Sequence, residues 1–148
     1  MKNILIVGTG TIGEPLIGLL AQHKKELGID NVSFFKRTPL SDEKGKVEAL
    51  IRKGAKLVAT SEAKNDFVSM GFSVEQLEKS YEENQVIIDC TPSGNKNWDE
   101  IYSNLDKDKR YLAQGSEHGF GPFFASVSYT HLRAHETKAN LVCRLLLE

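Results

Sequence analysis

An apolar run, Ile4-Leu5-Ile6-Val7, leads straight into Gly8-Thr9-Gly10-Thr11-Ile12-Gly13 and then into a segment bearing Leu16, Leu19, Leu20 and Leu27. A strand, a glycine turn and an amphipathic helix in that order leave few folds open. Gly8 permits a tight turn, Gly10 lets the backbone approach a pyrophosphate, and Gly13 lets the helix pack closely on the strand. The N–H groups that open the helix then point at the anion. The alternative is a strand-turn-helix whose glycines serve packing alone. The flanking strand and helix favour the phosphate cradle. Gly8, Gly10, Thr11, Ile12 and Gly13 are therefore the first candidate binding residues.

The rest of the chain repeats the alternation of strand and helix. Strands are expected at Asn3–Val7, Val32–Phe35, Lys56–Ala59, Gln85–Cys90 and Arg110–Gln114. Helices are expected from about Ile12 to Lys25, Asp42 to Lys53, Ser61 to Met70 and Asn97 to Leu105, with stops at Gly28, Gly54 and Gly71. Pro15 falls in the first turn of the first helix, where its missing N–H does little harm. Ser73-Val74-Glu75-Gln76 has capping-box order and predicts a further helix to about Tyr81. Alternating elements with short connections predict an α/β fold with a doubly wound parallel sheet, Rossmann-like. Ligands on such sheets lie past the carboxyl ends of the strands, at the switch in strand order. Residues 8–13, 36–39, 91–94 and 114–116 are expected to gather there. Thr91 and Pro92, with Gln114, Gly115 and Ser116, thus join the candidate site.

The second of these loops bears on the choice of cofactor. NAD sites usually carry an acid after the second strand, on the ribose hydroxyls. Here Lys36-Arg37-Thr38-Pro39 follows that strand. Two cations and a hydroxyl suit a 2′-phosphate, which a guanidinium grips bidentately. Lys36, Arg37 and Thr38 are therefore expected to select NADP, with NAD also accepted. The competing reading is a solvated basic turn.

With 148 residues the chain has the size of one domain. Its net charge of −1 argues against a general nucleic-acid or anionic-membrane binder. No apolar run approaches the ~20 residues of a membrane span, and no signal-peptide pattern opens the chain. The cytoplasm is the expected compartment. Cys90 and Cys143 provide neither a disulfide framework nor a metal spacing. Cys90 ends an apolar strand and reads as a small core residue, with a redox role as the weaker alternative. His118 lies at the ligand end of the sheet, as a phosphate contact or an exposed loop residue.

Four stretches together resemble the N-terminal part of an archaeal-type (type II) glyceraldehyde-3-phosphate dehydrogenase. Gly8-Thr9-Gly10-Thr11-Ile12-Gly13 resembles that family's Gly-x-Gly-Thr-Ile-Gly, and Lys36-Arg37-Thr38-Pro39 its basic segment after strand two. Ile87-Ile88-Asp89-Cys90-Thr91-Pro92 is similar to its Val-Val-Asp-Gly-Ala-Pro, and Gln114-Gly115-Ser116-Glu117 to its Gln-Gly-Gly-Glu. Cys90 and Thr91 stand where the family has smaller residues. The resemblance covers about residues 1–125 and implies an NAD(P)-binding domain, truncated before the sixth strand and the catalytic domain. It implies an intact homotetramer that oxidises glyceraldehyde-3-phosphate with phosphate and NAD(P), giving 1,3-bisphosphoglycerate. The family's nucleophilic cysteine lies in a Ser-Cys-Asn segment that has no counterpart here, so no catalytic residue carries over, and this chain is expected to have no turnover. Other two-domain dehydrogenases stay open as parents: aspartate-semialdehyde dehydrogenase, homoserine dehydrogenase or dihydrodipicolinate reductase. So does a stand-alone dinucleotide-binding sensor.

From Val127 the chain changes character. Residues 127–137 resemble a one-frame translation of a transposase-based sequencing-library adapter, and residues 140–148 the flow-cell primer that follows it. This resemblance implies that residues 126–148 are a non-native tail. It also removes the appeal of His131, His135 and Glu136 as metal ligands, since His131 and His135 are only helix-spaced and a third placed ligand is wanting.

Overall fold

A computed structural model describes residues 2–106, 108–114 and 120. The expected tail, Gly115, Ser116, His118 and Cys143 lie outside the described residues. Six parallel strands are present: β1 (Asn3–Val7), β2 (Asn31–Phe35), β3 (Lys56–Ala59), β4 (Val74–Gln76), β5 (Val86–Asp89) and β6 (Arg110–Ala113). Their order across the sheet is β4-β3-β2-β1-β5-β6. The chain starts in the middle, works outward through β2, β3 and β4, then returns past β1 to β5 and β6. This is the doubly wound α/β arrangement predicted from the alternation of elements, and its switch point lies between β1 and β5.

Alternate residues of each strand face opposite sides. Ile6 of β1, Phe34 of β2, Leu57 of β3 and Ile88 of β5 pack under α1 (Gly13–Gln22), α2 (Lys44–Arg52) and α3 (Ser61–Ser69), where Ile17, Ala21, Val47, Leu50 and Phe67 meet them. Leu5, Val7, Val58 and Ile87 face the other way, against Leu77 and Tyr81 of α4 (Leu77–Glu83) and Tyr102, which follows α5 (Gly94–Glu100). Both faces of β1 and β5 are covered, so both strands read as unbroken apolar runs. Among the described residues, no helix is long and apolar enough to cross a membrane.

Two helix stops, at Gly54 and Gly71, fall where expected, whereas α1 ends at Gln22 with His23 as its C-cap, short of the expected Lys25 and Gly28. Gly54 has φ +96°. Its N–H donates to Ile51 O at 2.9 Å, and Ala55 N–H donates back to Leu50 O at 3.2 Å. These are the paired bonds of a Schellman stop, whose left-handed residue is strained for any side chain. Gly71 carries the same pair of bonds after α3, and Gly28 carries it in the turn that follows α1. In each case the next residue, Ile29, Ala55 or Phe72, turns back into the core.

Four expectations need correction. Ser73–Gln76 does not open a helix. Val74–Gln76 instead pairs with β3, with Leu57 opposite Val74 and Ala59 opposite Gln76. A capping bond contributes about 1 kcal/mol, and here it loses to ladder bonds that cover an open sheet edge. The sheet therefore reaches six strands, where five were expected ahead of a missing sixth. Ser61, expected from its residue type as the N-cap, is instead the first helical residue, and Thr60 caps α3, its Oγ1 accepting from Ala63 N–H at 3.4 Å. The second helix begins as a 3-10 turn, Ser41–Glu43, before α2. The expected helix from Asn97 to Leu105 is α5 followed by a separate 3-10 turn, Tyr102–Asn104.

Candidate functional site

The glycine loop sits where β1 meets β5. Val7 O accepts from Cys90 N–H at 2.8 Å, which ties the two strand ends together. Gly8 has φ +102°, and a Cβ there would lie 2.9 Å from Thr91 Cγ2 and 3.3 Å from the Cys90 carbonyl carbon. A Cβ on Gly13 would lie 2.0 Å from Gly8 O, inside any allowed contact. The loop is thus closed on itself and against the turn after β5. Gly10 differs: nothing lies within 4 Å of a Cβ built there. Its open face, and the exposed Thr11 and Ile12, form the rim of the cradle. Ile12 holds the N-cap position of α1 and supplies no side-chain bond; within the first turn Glu14 N–H donates to Gly10 O at 3.0 Å and Pro15 has no N–H.

A buried carboxylate holds the β5 turn. Asp89 is 1% exposed. Its Oδ1 accepts from Thr91 N–H at 2.7 Å and Thr91 Oγ1 at 2.6 Å, and its Oδ2 accepts from Asn97 Nδ2 and Tyr102 Oη, each at 2.7 Å. Four donors converge on one charge, which is what a buried carboxylate requires. Asn97 and Tyr102 are five positions apart. On a straight α-helix that spacing sets them about 140° apart, so they could not both face Asp89. The irregular residue Ile101 (φ −122°, ψ −64°) brings Tyr102 round, and this breaks the expected helix. Burial, then the hydrogen bond to Asp89, pushes the Tyr102 hydroxyl far above its ordinary range. Burial and the Asp89 charge push the Cys90 thiol up to about 11, so it is a neutral, unreactive group at pH 7.

At the β2 end the expected residues separate. Lys36 is 7% exposed and paired with Glu43 of the 3-10 turn. The Lys36 bond to Glu43 holds the Glu43 carboxyl below its usual range, against an opposing contribution from burial and with lesser help from the Lys36 and Lys46 charges. Arg37 and Thr38 are exposed, and Arg37 forms no ion pair among the described residues. Lys46 approaches Glu14 of α1 at 3.8 Å. A narrow crevice runs between Thr9, Glu14, Lys36, Glu43 and Lys46, floored by Val47 and Leu50.

The structure therefore brings together Gly8, Gly10, Thr11, Ile12, Gly13 and Thr91, with Lys36 one strand away. Phe35 O accepts from Gly8 N–H at 3.4 Å. Pro92 is exposed on the β5 turn, and Gln114 N–H donates to Asp89 O at 3.2 Å just past β6. Arg37 and Thr38 are exposed at the same carboxyl end of the sheet. Lys36 is not a free cation, contrary to the sequence reading. Glu43 and the Asp89 cluster were missed. An acid ending the apolar run Val86-Ile87-Ile88-Asp89 is a signal for the second. Glu43 carries no such signal, since its role depends on how the loop after β2 folds back. Among the described residues, no group of three metal-ligating side chains exists. No family model matches the chain, and no curated protein matches it.

Proposed function

We propose that the chain binds a dinucleotide at the β1–β5 switch point, prefers NADP while accepting NAD, and forms the cofactor-binding part of an oxidoreductase. The observation that carries this reading is the uneven packing of the three glycines. Gly8 and Gly13 have no room for a Cβ, while Gly10 faces open space beside an uncapped helix start. That is the division of labour a pyrophosphate cradle requires.

In this reading the backbone of the glycine loop at Gly10, Thr11 and Ile12, with the start of α1 at Gly13, holds the pyrophosphate. Arg37 and Thr38 take the 2′-phosphate, the guanidinium supplying two parallel N–H donors. Thr91, Pro92 and Gln114 border the nicotinamide ribose, and Gly115 and Ser116, outside the described residues, are the further candidates that the sequence offers beside Gln114. The nicotinamide, when bound, supplies hydride transfer, and the residues named here bind and orient it. The parent reaction is phosphorylating oxidation of glyceraldehyde-3-phosphate, in a cytoplasmic homotetramer. Its support is the four-motif resemblance to the archaeal-type dehydrogenases. The gene beyond the codon for residue 125 tests that part: Ser-Cys-Asn-Thr supports it, and a lysine- or histidine-based site points to another dehydrogenase.

Calorimetric titration of the chain with NADP and with NAD tests the binding. Arg37→Asp is expected to weaken NADP by roughly tenfold to a hundredfold, as loss of a charged hydrogen bond does, and to leave NAD nearly unchanged. Equal loss of both cofactors would sink the assignment of Arg37. Without a nucleophile the chain is expected to show no NADPH formation from glyceraldehyde-3-phosphate and phosphate.

A further inference from the structure

The β2 end of the site carries charges of both signs. A cradle for a 2′-phosphate is ordinarily basic, and one for ribose hydroxyls ordinarily acidic. Here Lys36 and Lys46 are matched by Glu43 and Glu14, all four opening on the crevice beside Thr9 of the glycine loop. The Lys36 side chain is 8% exposed and that of Glu43 28%, so the pair is largely withdrawn from water with one flank open. The acid that ends β2 in NAD sites is thus missing from the position after Phe35 yet present in space, brought in by the 3-10 turn Ser41–Glu43.

We propose that Glu43 is the specificity-determining residue of the ribose end of this site. Resting on the dinucleotide reading above, the assignment works as an exchange of counter-ions. With NAD, Glu43 keeps its bond to Lys36 and its open flank accepts from the ribose hydroxyls. With NADP, the 2′-phosphate takes Lys36 and displaces the Glu43 carboxylate, which turns to solvent or to Lys46. Part of the attraction between Lys36 and the phosphate is then offset by the loss of a bond already made. Arg37, exposed and without an ion pair among the described residues, meets the phosphate with no such offset. One carboxylate thereby narrows the preference for NADP and keeps NAD acceptable.

Glu43→Gln tests this, because the amide is nearly isosteric and lies on a partly exposed turn. Titration of the full chain with NADP and with NAD is expected to show NADP bound roughly tenfold more tightly in the variant and NAD more weakly. Glu43→Asp keeps the charge and is expected to restore much of the original ratio. Titration with 2′-AMP should follow NADP, and with 5′-AMP should follow NAD. If the unsubstituted chain binds both dinucleotides and the ratio is unmoved by Glu43→Gln, the assignment of Glu43 falls and the dinucleotide reading stands. If the unsubstituted chain binds neither, both fall.

Discussion

Gly13 and Gly10 differ by three positions and by everything that surrounds them. A methyl group on Gly13 would collide with Gly8 O at 2.0 Å, backbone against backbone, so α1 would have to move away from β1. Overpacking in a closed core costs about 1–3 kcal/mol, and the upper end is expected where no side chain can yield. Gly13→Ala should therefore lower the midpoint of urea unfolding and abolish dinucleotide binding together. Gly10→Ala meets nothing within 4 Å. Its unfolding midpoint should stay within the error of the parent protein, while dinucleotide affinity falls about tenfold, or 1.4 kcal/mol, because the methyl stands where the pyrophosphate must approach. If Gly10→Ala bound NADP and NAD as well as the parent does, the cradle would be a packing device only.

At the scale of elements, the turn after β5, α5 and the following 3-10 turn are joined through one side chain. Asp89 draws Thr91, Asn97 and Tyr102 onto its two oxygens, and Thr91 is the residue that closes over Gly8. Asp89→Asn replaces an acceptor by an NH2 group facing donors, and leaves buried polar groups unmatched. A cost of about 3–5 kcal/mol is expected, as for breaking a buried charged network. Tyr102→Phe removes one donor of the four and should cost about 1–2 kcal/mol. Denaturant unfolding of both variants measures the difference; equal costs would mean that Tyr102 alone carries the cluster. The element most open to misreading was β4. Three residues form it, and its local capping-box pattern points to a helix. Its strand state exists only because β3 offers an edge, and Lys56 and Glu75 meet across that edge at 3.3 Å.

For the whole molecule, burial of ionisable groups around the sheet sets an alkaline limit. The Cys90 thiol is raised from 9.0 to about 11, by burial first and then by the Asp89 charge. Tyr81 is raised from 10.0 to about 12, also mainly by burial. Both groups favour the neutral form in the folded state, so their contribution is complete below pH 9 and is lost as pH rises through 11 and 12. The melting temperature is expected to hold up to pH 9 and to fall above it, and Cys90→Ala should remove the first part of that fall. A melting temperature level between pH 9 and 12 would contradict the burial of these groups.

Sequence alone determined the alternation of strands and helices, the parallel doubly wound sheet, the glycine loop and the helix stops at Gly54 and Gly71. These rest on local causes: apolar runs covered on both faces, a left-handed residue that glycine alone adopts freely, and short connections. Only the tertiary structure decided which charges at the site are free. Lys36 and Arg37 are neighbours with the same charge, yet one is buried against Glu43 and the other is exposed. That distinction depends on the path of the chain from Thr38 to Glu43, which no periodicity records. The same holds for β4 and for Asp89, whose partners are set by packing between elements. Local propensities differ by about 1 kcal/mol or less, so an open sheet edge or a buried carboxylate in want of donors outweighs them.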